Sequence, residues 1–290
     1  MTRNLLRIGR GRYAGIALVL LLTWAFSATL PGEVHALGGP GAVAVSIEGE
    51  VRRPWTYTLP PGSTLSTLIV AAGGFTDNAF LRGAILTRVA TREAQEADLR
   101  GIVARIEAET VPATAPDNAV RPLIELLSSL RPYGRIPVRL SHPRLLKGTP
   151  ADLPLEEGDV LRVPQKTGTV TVAGALKTAP CAIPFAADKP YEEYIRQAGG
   201  HADGADREHV YLLRTDGTTA LLSLGFIRWN PAASRWEVTA LTGGPPAVGP
   251  GDTIVVPRHP PKGIPDKIAR ELPGILIRAA EIAGEPVILP

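Results

Sequence analysis

The chain has 290 residues, of which 44% are apolar and 20% charged, enough for two ordinary domains with a core each. A single cysteine excludes a disulfide framework and cysteine-based zinc modules, and 30 Gly with 28 Pro favour short strands and turns over a helical bundle. The net charge of +3 arises within the first 36 residues; the remaining 27 basic and 27 acidic residues form a neutral body, which argues against nucleic acid as a partner.

Residues 1–36 have the pattern of a secretory signal peptide. Residues 1–12 hold four arginines and no acidic residue, residues 14–26 are apolar, and Ala36 is a small residue suited to cleavage. An uncleaved anchor remains open, because an apolar run of about 17 residues is near the lower limit for crossing a bilayer. In both cases we expect the body of the protein in the periplasm.

The body of the chain contains an internal repeat. Ala72-Gly73-Gly74 returns 126 residues later as Ala198-Gly199-Gly200. The stretch 155–164, which contains a Gly-Asp pair, returns at 248–257, now 93 residues later. The chain is therefore a tandem duplication whose first copy carries about 33 additional residues.

Each copy has the same order of predicted elements. An alternating strand at 43–51 turns at a glycine and returns as a second short strand, and Leu65 begins a short helix that Gly73-Gly74 ends. A further strand follows at 84–89, and the Gly-Asp pair precedes a closing strand. In the second copy, Asp216-Gly217 is a strong hairpin signal. A sheet of four to five strands around one helix is a β-grasp, so we predict an α+β protein with two such domains, at 37–168 and 169–258.

Two segments lie outside this repeat. Residues 92–131 are rich in helix formers and predict a helical insert, which could offer a partner surface or cover the sheet. Residues 259–290 contain a linker and an amphipathic helix, which Pro273 should kink or split. Its apolar side chains would dock on the protein's own domain or contact a membrane or another subunit. The residues predicted for a membrane or partner contact are Ile268, Leu272, Ile275, Leu276 and Ala279.

The repeated motifs resemble the SLBB domain, a β-grasp module of bacterial polysaccharide export proteins. The resemblance is carried by Gly49-Glu50-Val51-x-x-Pro54, by Thr64-Leu65-x-x-Leu68-Ile69-x-x-Ala72-Gly73-Gly74 and by Gly158-Asp159-x-x-x-Val163-Pro164. The second copy matches more loosely. With the insert, the terminal helix and the leader, the arrangement looks most like the GfcC-like periplasmic proteins of group 4 capsule biosynthesis.

The resemblance implies an accessory or scaffold protein of capsule or exopolysaccharide assembly. Its partners would be polysaccharide export and assembly proteins, and also the polysaccharide itself. Exporters of this type begin with a separate polysaccharide export domain, for which residues 37–42 leave no room, so a self-sufficient pore is not expected.

The residues predict no catalytic constellation, no metal site and no cofactor. His201, Asp203, Asp206 and His209 have metal-ligand residue types, but their position after a helix-ending glycine favours a turn. Aromatic rings stack on sugars, and arginines pair with acidic glycans. The candidate glycan-binding residues are therefore Trp55, Tyr57, Arg88, Arg214, Trp229 and Trp236.

Two other functions stay open at this stage. β-Grasp modules of this type also hold soluble small ligands, for which a compact apolar pocket would be the sign. A glycan-modifying enzyme would need paired carboxylates facing a cleft.

Overall fold

The computed structural model describes residues 41–110, 117–222, 227–230, 235–238 and 245–289. The leader therefore lies outside the described residues. The described chain contains twelve strands and six α-helices. The strands are β1 Val43–Gly49, β2 Trp55–Leu59, β3 Ile85–Thr87, β4 Arg135–Pro137, β5 Val160–Val163, β6 Thr169–Gly174, β7 Cys181–Pro184, β8 Tyr211–Leu213, β9 Thr219–Leu221, β10 Ile227–Asn230, β11 Arg235–Val238 and β12 Thr253–Val256. The helices are α1 Leu65–Ala71, α2 Val89–Thr110, α3 Asp117–Ser129, α4 Pro143–Leu146, α5 Tyr191–Gln197 and α6 Asp266–Ala283, with a short 3-10 helix at Leu81–Gly83.

Two five-stranded sheets have the same topology. The strand order is β2-β1-β5-β3-β4 in the first sheet and β7-β6-β12-β8-β9 in the second. The parallel neighbours are β1 and β5 in the first sheet and β6 and β12 in the second. All other neighbouring strands are antiparallel. Helices α1 and α5 begin and end 126 residues apart, and so do strands β3 and β8. This confirms the predicted α+β fold with two tandem domains of one topology.

One glycine in each copy allows the two parallel strands to meet. A Cβ atom at Gly49 would lie 2.1 Å from the carbonyl oxygen of Val163, and one at Gly174 would lie 2.0 Å from that of Val256. Both glycines also have positive φ, which side chains rarely tolerate. The repeated glycine is therefore required by the same close approach in each domain.

Each domain has its own core between the sheet and its short helix. In the first domain, Leu65, Leu68 and Ile69 of α1 pack against Val45 and Leu161 of the sheet. The second domain repeats this arrangement with Tyr194 and Ile195 of α5 and with Ala198 directly after the helix. In the first sheet, the buried residues Val45 and Ile47 of β1 and Leu161 and Val163 of β5 alternate with side chains of the opposite face.

A third core joins the insert to the terminal helix. Apolar side chains of α2, α3 and α6 pack together and against the face of the second sheet that is opposite α5. Three ion pairs accompany this packing between α2 and α6, Arg105–Glu271, Lys267–Glu109 and Arg278–Asp98. Helix α6 runs continuously through Pro273, so the predicted split does not occur.

Candidate functional site

The two sheets differ in what covers the face opposite their short helix, which we call the outer face. On the second sheet this face carries Tyr211, Leu213 and Val255, all buried beneath α6 and the insert. On the first sheet it carries Glu48, Thr87, Arg135, Val160 and Arg162, and no helix covers it in the same way. Duplication therefore produced one buried and one open outer face.

Matching positions of the two copies explain this difference. Arg162 of β5 corresponds to Val255 of β12, and Thr87 of β3 corresponds to Leu213 of β8. Charged and hydroxyl side chains keep their water, whereas burying them without partners is costly. The outer face of the first sheet is therefore suited to contact with water. The outer face of the second sheet is apolar and is stable only when other elements pack on it.

A cleft of about 480 Å³ lies over the outer face of the first sheet. Its walls are the outer-face residues of the first sheet, the exposed ring of Tyr133 and the last turn of α6, which ends at Gly284. We call this space the outer-face cleft. Its lining residues are Glu48, Ile85, Thr87, Tyr133, Arg135, Val160, Arg162, Ala283 and Gly284.

A second cavity of about 350 Å³ lies beside it, between the two domains, and we call it the junction cavity. Ile85, Arg135 and Gly284 line both spaces, so the two adjoin at the Arg135 side chain. Arg214, one of the predicted glycan-binding residues, lines the junction cavity only. Volumes of this size fall in the range of roughly 300–1,000 Å³ that small-molecule sites occupy.

Arg135 connects three parts of the molecule. It belongs to edge strand β4, its Nη2 donates to the carbonyl oxygen of Thr215 in the second domain, and a Cβ atom added at Gly284 would lie 3.3 Å from its Nη1. The side chain also lies over Gly217, where a Cβ atom would be 2.6 Å from Nε. Burial lowers the pKa of Arg135, and the nearby carboxylate of Asp216 opposes this effect.

Arg162 is the second cation of the outer-face cleft. Its Nη2 lies 2.9 Å from Oε2 of Glu48 on the neighbouring parallel strand, and both side chains are exposed. An exposed pair of this kind is weak, so either charge remains available to a ligand.

The structure corrects two of the predicted glycan-binding residues. Arg88 donates from Nε and Nη2 to the buried carboxylate of Asp159, and also to Glu156 and to the carbonyl oxygen of Pro154. These bonds use all three guanidinium nitrogens within the first domain. Tyr57 is 6% exposed and its hydroxyl donates to the carbonyl oxygen of Arg53, so it is a core residue whose pKa burial raises.

Trp55 lies outside both cavities. Its side chain is 43% exposed at the start of β2. Trp229 and Trp236 are opposite one another in the register of β10 and β11, a two-stranded ribbon separate from the two larger sheets. Binding of a glycan at these three positions stays a prediction.

The predicted membrane or partner residues are corrected as well. Ile268, Leu272, Ile275, Leu276 and Ala279 are all at most 5% exposed, because they pack against the insert and the second sheet. Of the two predicted alternatives, the structure has the helix docked on its own chain. In the described part of the chain, no helix combines the length and the apolar character needed to cross a membrane.

The histidine-containing stretch forms a hydrogen-bonded turn. The carboxylate of Asp206 accepts from the backbone N–H groups of Glu208 and His209 and lies 2.7 Å from the ring Nδ1 of His209. Within the described residues, no group of three or more metal-ligand side chains comes together.

Comparison with protein families identifies the repeated unit. The model of the SLBB domain matches residues 44–101 and again residues 169–222. The chain carries two SLBB domains. SLBB domains are binding modules, rather than enzymes, and are associated with polysaccharide export proteins. No curated protein matches the chain in a direct search.

The SLBB matches end before the strand that completes each sheet. Strands β4 and β5 lie beyond the first match, and β12 lies beyond the second. Two cations of the outer-face cleft, Arg135 and Arg162, are therefore outside the matched segments. The sequence did contain a signal for one of them, because aligning the copies places Arg162 opposite Val255 in an otherwise apolar strand.

Proposed function

We propose that this protein is a periplasmic accessory of capsule or exopolysaccharide export, and that it acts by binding rather than by catalysis. The observation that supports this most is a pair of SLBB domains in which one outer face is buried and the other forms an open cleft with charged side chains in its lining. The resemblance to GfcC-like proteins and the signal-peptide pattern of residues 1–36 support the same proposal.

The residues that line the outer-face cleft also favour this proposal over a glycan-modifying enzyme and over a small-ligand-binding protein. Hydrolysis of a glycosidic bond needs two carboxylates facing one another across the substrate. Among the residues that line the outer-face cleft, Glu48 is the single carboxylate. A compact apolar pocket would favour a soluble small ligand, whereas the lining of this space combines apolar side chains with the charges of Glu48, Arg135 and Arg162.

Removing the gene from its native cell tests the proposal. We expect less polysaccharide at the cell surface, recovery when the intact gene is restored, and recovery of the protein in the periplasmic fraction. A strain without the protein that exports the same amount of polymer would refute a role in export. A control strain that expresses the Arg196→Gln variant should export normally, since Arg196 is an exposed residue of α5 far along the chain from the cleft strands.

A further inference from the structure

Arg135 lines the outer-face cleft, and the nearby carboxylate of Asp216 favours its charge without pairing with it directly. None of the ion pairs between described residues involves Arg135, and its buried Nε has no hydrogen-bond acceptor among those residues. A buried donor without an acceptor is costly, so such groups in native proteins call for an explanation. The atom of this side chain that an anion in the cleft could reach is Nη1, which lies beside Gly284 of the cleft lining.

The charges of the cleft indicate the charge of that anion. Its charged lining residues are Glu48, Arg135 and Arg162, which together carry +1. A monoanion neutralises this set. A phosphate group would bring up to two negative charges beside Glu48, and like charges at short distance repel.

Tyr133 indicates what carries the anion. Its ring is 65% exposed at the edge of the cleft, two residues before Arg135. An exposed ring beside arginines offers an apolar face for the C–H groups of a sugar, next to donors for its polar substituents. The exposed guanidinium of Arg162 presents a planar fork that matches a carboxylate with two parallel hydrogen bonds.

We infer that the outer-face cleft binds a carboxylate-bearing sugar unit, such as a uronic acid of the exported polymer, with its carboxylate at Arg135 and Arg162 and its ring on Tyr133. This inference rests on the proposed function, because that function makes a polysaccharide the ligand. The adjoining junction cavity, lined by Arg214, provides room for a neighbouring unit of the chain.

Calorimetric titration of the purified full chain tests the inference. The probes are an oligomer of galacturonic acid and the neutral galactose oligomer of equal length, at the same ionic strength. We expect the acidic oligomer to bind at least about tenfold more tightly, since charge-assisted hydrogen bonds contribute roughly twice as much as neutral ones. Equal affinity for the two oligomers, or no binding of either, would overturn the inference.

Variants of exposed side chains locate the binding. Tyr133→Ala and Arg162→Gln should each weaken binding of the acidic oligomer by about five- to tenfold, because each removes one contact from an exposed position that the fold does not need. The matched control is Arg196→Gln. Like Arg162, Arg196 is an exposed arginine that forms an ion pair with a glutamate, here Glu193. Loss of affinity in the control as large as in Arg162→Gln would show non-specific charge attraction and would contradict the assignment.

Arg135→Lys tests the central contact. The lysine keeps the charge but loses the guanidinium Nη1 donor beside Gly284, so we expect weaker binding with an unchanged preference for the acidic oligomer. Unchanged affinity in a folded Arg135→Lys protein would remove Arg135 from the site. Should this variant fail to fold, Tyr133→Ala and Arg162→Gln decide the question, because both positions are exposed.

The outcomes distinguish the two proposals. Export that depends on the protein, together with equal binding of acidic and neutral oligomers, overturns the ligand class and leaves the export function in place. Export that does not depend on the protein overturns the function, whatever the cleft binds.

Discussion

Arg82 of the first domain lies 3.7 Å from the buried carboxylate of Asp252 in the second domain. In the first copy the equivalent carboxylate, Asp159, is paired with Arg88 of its own domain. The second copy retains an arginine at the corresponding position, Arg214. The direct ion pair of Asp252 is nevertheless made with Arg82 of the other domain. The same turn motif is thus stabilised internally in one copy and across the domain boundary in the other.

Arg88 should be a structural residue. Replacing it by alanine leaves the buried carboxylate of Asp159 without its partner, so we expect the free energy of unfolding to fall by about 3–5 kcal/mol. The control is Arg162→Ala, which breaks an exposed pair and should cost at most about 1 kcal/mol. Urea denaturation measures both. Similar stabilities of the two variants would contradict the structural role of Arg88.

Asp252 should make stability depend on pH in the acidic range. Burial raises the pKa of its carboxyl above the ordinary 3.8, against the lowering effects of the N–H groups of Gly249 and Thr215 and of Arg82. The folded protein then holds this proton more tightly than the unfolded chain. The contribution of Asp252 to stability is therefore present below pH 3.8 and is lost as the pH rises through the folded-state pKa.

The variant Asp252→Asn removes this titration. We expect its stability relative to the wild type to rise with pH across that interval and to remain constant above it. Urea denaturation at a series of pH values measures the difference. Parallel stability profiles of variant and wild type would show that the Asp252 carboxyl is not perturbed by folding.

The repeated glycines Gly49 and Gly174 should tolerate no side chain. An alanine at either position meets a strand carbonyl at about 2 Å and also has positive φ, so each variant should lose at least about 2 kcal/mol of stability or fail to fold. Gly101 of α2 is the control, because nothing lies near its Cβ position and its φ is ordinary. There, alanine should raise stability by about 0.5–1 kcal/mol. Equal effects at Gly49 and Gly101 would disprove the close approach of the strands.

The terminal helix should be part of the folded core. Leu272→Ala in α6 and Leu123→Ala in α3 each remove a fully buried side chain from the third core, and each should cost about 2–5 kcal/mol. The control is Val70→Ala on the exposed face of α1, with an effect within about 0.5 kcal/mol. A Leu272→Ala protein as stable as the wild type, measured by urea denaturation, would mean that α6 is not docked in solution.

The repeat made most of the fold predictable. Helix α1 and its copy α5 follow from apolar spacing and from the glycine pairs that end them, and the β8–β9 hairpin follows from Asp216-Gly217. Of the predicted kink or split at Pro273, the split does not occur, because packing on three elements holds α6 continuous at the cost of one backbone hydrogen bond.

The candidate site was much less predictable. Arg88 and Tyr57 have the residue types of a glycan site, but the bonds of Arg88 to Asp159 and the burial of Tyr57 make both structural residues of the first domain. Tyr133 and Arg135 follow the insert and have no counterpart motif in the repeat, so nothing local marks them as neighbours of Glu48 and Arg162.

The sequence by itself determined the duplication, the strands and the short helix that the two copies share, the helical nature of the insert and the amphipathic character of the terminal helix. These properties depend on residue alternation, helical spacing and glycine placement, which act over a few positions along the chain. Only the tertiary structure decided that the insert of the first domain and the C-terminal helix meet over the second sheet and leave the first outer face open. The reason is that an apolar helix face specifies burial but no partner, and the partner is selected by packing between residues more than a hundred positions apart.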